Sequence, residues 1–142
     1  MELESVQPTS KAPAQRFTGD AWVDLLAHGA APSRIRVALV RFAPGARNHW
    51  HAHANGQTLH VTAGSGRVQA RGGAVVVLSA GDTVYTAPGE WHWHGAAPDR
   101  FMTHLAIWQG SRARAPRRRG GSRSPTWSTT ADLSGWVRRE VR

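Results

Sequence analysis

The 142-residue sequence predicts an all-β barrel or double sheet in one domain, and three observations carry the prediction. Gly45, Gly56, Gly64, Gly72, Gly81, Gly89 and Gly95 punctuate the chain every six to eleven residues, a spacing that suits short strands and tight turns rather than helices of three or four turns. The run Arg-Ile-Arg-Val-Ala-Leu-Val-Arg-Phe-Ala over 34–43 is apolar on both alternating faces, as in a strand covered on both sides. The length itself suits one sizeable core and little else.

Taken in order, residues 1–15 hold Pro8 and Pro13 among small polar residues, with no sustained period, and are expected to form a flexible arm. The barrel is expected over 16–110. Its first strand spans 16–26, anchored by Phe17, Trp22, Val23, Leu25 and Leu26, and 34–43 follows. After the turn at Pro44-Gly45 come strands near 48–53, 57–62, 66–71, 74–79, 83–87, 91–95 and 101–109. Beyond Gly110 the composition breaks. Arg112, Arg114, Arg117, Arg118, Arg119 and Arg123 stand among Gly, Ser and Pro, the makeup of a solvated tail over 111–142. Thr129 and Asp132 resemble a helix cap, and Leu133, Trp136, Val137 and Val141 share a helical stripe, so a short helix near 131–141 is expected.

The formal charge of +9 suggests nucleic acid until it is divided along the chain. Residues 1–110 hold nine Lys/Arg against seven acids, whereas 111–142 hold nine Arg against two. The basicity belongs to the tail, where an arginine run without a recognition element is ordinarily just solvated, so nucleic acid is not expected as a partner. Cysteine is absent, which removes disulfides, zinc ribbons and thiol nucleophiles; any metal must take nitrogen and oxygen ligands. The acidic start Met1-Glu2-Leu3-Glu4 lacks the apolar core of a secretory signal, and no stretch is apolar enough to span a bilayer, so a cytoplasmic protein with no membrane partner is expected.

Five of the eight histidines fall in two groups, His49, His51 and His53, then His92 and His94. On a strand, residues two apart share a face about 7 Å apart, so His51 and His53 can reach one ion. Gln57 follows across the Ala54-Asn55-Gly56 turn with an amide oxygen, and His92 supplies a third nitrogen from a distant strand. Three neutral nitrogens and one carbonyl oxygen suit a divalent Mn, Fe, Co, Ni or Zn ion. A lone strand histidine is more often a packed or solvated residue, but several on one face are hard to bury without a cation. By parity His94 joins the face of His92, and His104 that of Met102, Ala106 and Trp108. Packing against a backbone carbonyl is the alternative role for both. His60 is expected to point away from the ion, and Trp50, Trp91 and Trp93 to fill a core or subunit contact on the opposite face.

The stretch from Gly45 through Val68, with its His-x-His and a ligand-competent residue four positions on, resembles the first cupin motif, and Gly81 through His92 resembles the second. Within cupins, the runs His49 to Leu59, Trp91 to Ala96 and Met102 to Ala106 are similar to a small bacterial group that includes manganese-dependent hydroxynitrile lyases. The resemblance implies a double-stranded β-helix, or jelly-roll, barrel. It implies His51, His53, Gln57 and His92 around a manganese ion, with His94 and His104 lining the cavity, where His104 removes the hydroxyl proton and His94 orients the substrate or assists departing cyanide, and with Ala38 and Val40 in the substrate pocket, which Trp108 narrows. The reaction implied is reversible cleavage of cyanohydrins to aldehyde and cyanide. Gln57 departs from the Glu common in cupins and leaves the ligand set without a carboxylate, which makes for a stronger Lewis acid. The same scaffold hosts dioxygenases, isomerases and decarboxylases as well as modules that only sense a small ligand or metal, and fold alone does not choose between them. The strand apolar on both faces leads one to expect a homodimer or homotetramer acting on a small-molecule substrate.

Overall fold

The computed structural model describes residue 1 and residues 3–110, and every regular element among them is a strand. The elements are β1 Ser10–Lys11, β2 Phe17–Thr18, β3 Ala21–His28, β4 Ile35–Phe42, β5 Arg47–Asn48, β6 Gln57–Ala70, β7 Val76–Ser79, β8 Thr83–Thr86, β9 His92–Ala96 and β10 Met102–Gln109. All pairings are antiparallel. The Arg-rich run and the helix expected near 131–141 lie outside the described residues.

One long strand joins the two sheets. The first half of β6 pairs with β10 and β8, and β10 continues through β4 and β3 to β1. Its second half pairs with β7 and β9, and β9 continues through β5 to β2. The sequence suggested two strands here, 57–62 and 66–71; they are continuous because the chain turns the corner without leaving the ladder. A register shift opposite Thr103 and His104 accommodates the bend, and Gly64 sits there at φ 78°, where an added Cβ would overlap the Phe101 carbonyl.

Strand alternation then decides what faces inward. On β10 the buried set is Met102, His104, Ala106 and Trp108; on β4 it is Ala38, Val40 and Phe42; on the first half of β6 it is Gln57, Leu59 and Val61. Cross-strand register sets His104 between Val40 and Val61, and Trp108 beside Gln57. Burying side chains such as Phe42, Leu59 and Met102 contributes about 1.5–3 kcal/mol each, so the polar ring of the site rests on an apolar floor.

Three expectations differ from what is observed. Leu26 is not an anchor: a register shift between Leu25 and Ala27 turns it outward, 44 % exposed. The strand expected over 48–53 stops at Asn48. The segment read as an arm contributes β1, which pairs with Val23 and Trp22 of β3.

Candidate metal centre

His51 and His53 sit past the end of β5, on chain held by individual contacts. A single bridge ties His51 to His92: the His51 amide donates to the His92 carbonyl at 3.0 Å, and the His92 amide returns the bond at 2.9 Å. The His53 carbonyl accepts from Gly56 at 3.2 Å and from Gly89 at 2.9 Å, which joins the loops carrying both histidine groups. Gly56 takes φ 76° where a Cβ would come within 2.6 Å of the Thr86 carbonyl, and this tight turn delivers Gln57 to the start of β6. The Thr86 hydroxyl holds the Gln57 carbonyl at 3.2 Å.

These contacts bring the expected ligands together. One ligating atom from each of His51, His53 and His92 lies within 4.8 Å of the others, all three residues being buried. Ring orientation is fixed from behind. Nδ1 of His51 donates to the His49 carbonyl at 2.8 Å and Nδ1 of His92 to the Glu90 carbonyl at 2.9 Å, so each ring keeps its lone pair on Nε2. Gln57 Oε1 stands 3.0 Å from Nε2 of His92 and also engages His51.

A cation fits this arrangement. A carbonyl oxygen and an imidazole lone pair are both acceptors and have nothing to share at 3.0 Å, yet that is about the separation of neighbouring ligands with bonds of roughly 2.1 Å to one ion. Burial pushes His51 far below the usual imidazole range, helped by the charge of neighbouring His92; burial takes His53 down to about 4 and lowers His92 as well. The rings are therefore neutral at pH 7, the form that ligates a metal.

Beside this cluster, His94 and His104 form a second buried pair. His104 Nε2 lies 3.1 Å from His94 Nδ1, and the rings meet edge to face at 4.8 Å. Phe42 packs against both, 6.0 Å from His94 and 5.6 Å from His104. Burial pushes His94 well below the ordinary value and takes His104 to about 4. The far side of His94 is held by Asn48, which bonds both its ring at 2.8 Å and its backbone amide at 2.8 Å.

A mainly apolar inner cavity of about 30 Å³ adjoins the cluster; His53, Gln57, His94, Asn48, Ala38, Val40 and Trp108 border it. His104 is fully buried and stands behind His94, away from the cavity wall. An outer cleft of about 450 Å³ shares Gln57 and Trp108 with it. His60 bonds Thr83 at 2.9 Å and lies away from the cluster, while His49 is spent on Thr18 and the Gln15 carbonyl. Trp50, Trp91 and Trp93 are half-buried under guanidinium groups, Arg71 over Trp50 and Trp91 and Arg47 over Trp93 at 5.0 Å.

Asn48 was not among the residues singled out from sequence. Strand parity sends it to the face opposite His49, His51 and His53, and only the irregular path after β5 lets both Asn48 and His51 face inward. The remaining sequence signal was an uncharged amide one residue before the histidine group.

A family model described as a cupin domain matches residues 38–108. The chain is 51 % identical over 109 residues to an (R)-mandelonitrile lyase from Granulicella tundricola, covering 75 % of this chain and 83 % of that protein. Among solved structures, a cupin-like protein from Thermotoga maritima superposes with a TM-score of 0.69 at 44 % identity, covering 70 % of this chain and 76 % of that one. A predicted oxalate decarboxylase from the same organism shares the fold at a TM-score of 0.66 and 20 % identity, over 75 % of this chain and 98 % of that one.

Proposed function

Since this chain belongs to the cupin family, we propose that it is a metal-dependent lyase that splits cyanohydrins reversibly into an aldehyde and hydrogen cyanide, with manganese as its working cation. The observation that carries this reading is a cluster of metal-competent side chains without a carboxylate, His51, His53, Gln57 and His92, beside a neutral histidine pair of which His94 borders an apolar cavity. The 51 % identity to a relative named (R)-mandelonitrile lyase supports the same substrate class.

A bound divalent cation supplies Lewis-acid polarisation of a substrate oxygen, undiminished by any anionic ligand. The protein's own residues do the rest. Ala38 and Val40 give the inner cavity a small apolar wall beside the cluster, and Trp108 stands where that cavity meets the outer cleft, on the side from which a substrate would enter. The hydroxyl proton enters the histidine pair at His94 and comes to rest on His104, the base of the pair, while the carbon–carbon bond to cyanide breaks and its electron pair leaves with cyanide. The same proton then completes hydrogen cyanide, so the enzyme ends as it began. The cavity's apolar lining keeps bulk water from the pair.

Reconstitution of purified protein with manganese, iron, zinc, nickel or cobalt, followed by a benzaldehyde-release assay on mandelonitrile, tests the reading. Metal-dependent release is expected. Tight metal binding with no cleavage by any form, or oxygen uptake in its place, would overturn it in favour of another cupin chemistry.

A further inference from the structure

Asn48 is fully buried at the end of β5, and its amide makes two bonds to one residue. Its Oδ1 accepts from the His94 backbone amide at 2.8 Å. A backbone N–H can only donate, so the oxygen of the Asn48 amide is assigned to that end without ambiguity. The other end is then Nδ2, a donor, 2.8 Å from Nε2 of His94. That nitrogen must offer its lone pair, and the single proton of the neutral ring falls on Nδ1. Nδ1 in turn donates to Nε2 of His104 at 3.1 Å, which places the proton of His104 on its own Nδ1.

We propose that Asn48 is a positioning residue that fixes the tautomer of the His94 and His104 pair, with the proton on Nδ1 of each ring. The pair thereby has a direction. One end of the pair is Nε2 of His94, whose lone pair the Asn48 amide holds and whose residue borders the inner cavity together with Asn48; the other end, the sink, is Nε2 of His104, which stands behind. Resting on the cyanohydrin reading, the use of this direction is explicit. The substrate hydroxyl displaces the Asn48 amide hydrogen from Nε2 of His94; the O–H bond breaks as an N–H bond forms there. The Nδ1–H bond of His94 breaks as one forms at Nε2 of His104. Cyanide departs with the electron pair of its carbon–carbon bond, the carbinol oxygen becomes a carbonyl, and return of the proton along the same rings yields hydrogen cyanide. With the opposite tautomer, His94 would meet the substrate with a donor and no base.

The test is a long-range proton–nitrogen correlation spectrum of the full chain, ¹⁵N-labelled at histidine and loaded with diamagnetic zinc, with His94 and His104 assigned by substitution. Wild type is expected to show Nδ1 protonated and Nε2 bare in both rings. In Asn48→Asp a carboxylate that only accepts replaces the Nδ2 donor, so Nε2 of His94 becomes protonated. The manganese-loaded variant is expected to lose roughly 100-fold in kcat on mandelonitrile, with metal content unchanged and KM within about threefold. Wild-type His94 carrying its proton on Nε2, or a variant with Nε2 still bare, would overturn the assignment; the wild-type spectrum decides even if the variant does not fold. Correct tautomers without cyanohydrin cleavage by any metal form would uphold Asn48's role and sink the lyase reading, whereas cleavage with the wrong tautomer would do the reverse.

Discussion

The amide oxygen of Gln57 faces Nε2 of His92 at 3.0 Å, acceptor against acceptor. A divalent cation between them would take both atoms as ligands. Gln57→Glu puts a full charge where the amide dipole stood. The variant should bind manganese at least tenfold more tightly in a chelator competition, and its kcat on mandelonitrile should fall about tenfold as the carboxylate offsets the ion's charge. Weaker binding would remove residue 57 from the ligand set.

Metal removal should lower stability, because ligand binding to the folded state alone adds RT ln(1 + [L]/Kd). At metal concentrations of 100 times Kd this is about 2.7 kcal/mol, or on the order of 10 °C in Tm for a domain this size. Calorimetry before and after chelation checks this. In His92→Ala the two melting curves should coincide.

His104 makes the metal-free protein acid-sensitive. Its folded value is pushed down to about 4 against an ordinary 6.5, so the unfolded chain binds this proton first as pH falls. The contribution is complete above pH 6.5 and is lost as pH drops towards 4, a change of about 3 kcal/mol from this one group. Urea titrations of apoprotein across that window should show a shallower pH slope in His104→Leu than in wild type. Equal slopes would mean that the ring is not buried in its neutral form.

Trp108 borders both the inner cavity and the outer cleft and stands across from Gln57. Trp108→Leu should open the passage, lowering KM several-fold for bulky aromatic cyanohydrins relative to a small aliphatic one. Loss of packed volume should cost roughly 2–4 kcal/mol of stability. A ratio of KM values unchanged from wild type would place the substrate elsewhere.

The convergence of these side chains was legible because their signal is local. His51, His53 and Gln57 fall within seven residues, and the turn that brings Gln57 back is written in Gly56, which the fold needs at φ 76°. The β10 prediction held for the same reason: alternation over eight regular residues places Met102, His104, Ala106 and Trp108 inside. Parity misled at Leu26, where a bulge reverses the face, and past Asn48, where the strand ends.

By itself, then, the sequence determined the all-β class, the metal-competent residues and the lack of any thiolate ligand, since these follow from residue chemistry and short-range spacing. Only the tertiary structure decided that His104 stands behind His94, that Asn48 grips His94 from the other side, and that Gln57 meets His92 as acceptor to acceptor. Those relationships span 10, 46 and 35 residues of chain, respectively. They depend on bulges and on irregular backbone after β5, where period-two alternation no longer tells which way a side chain points.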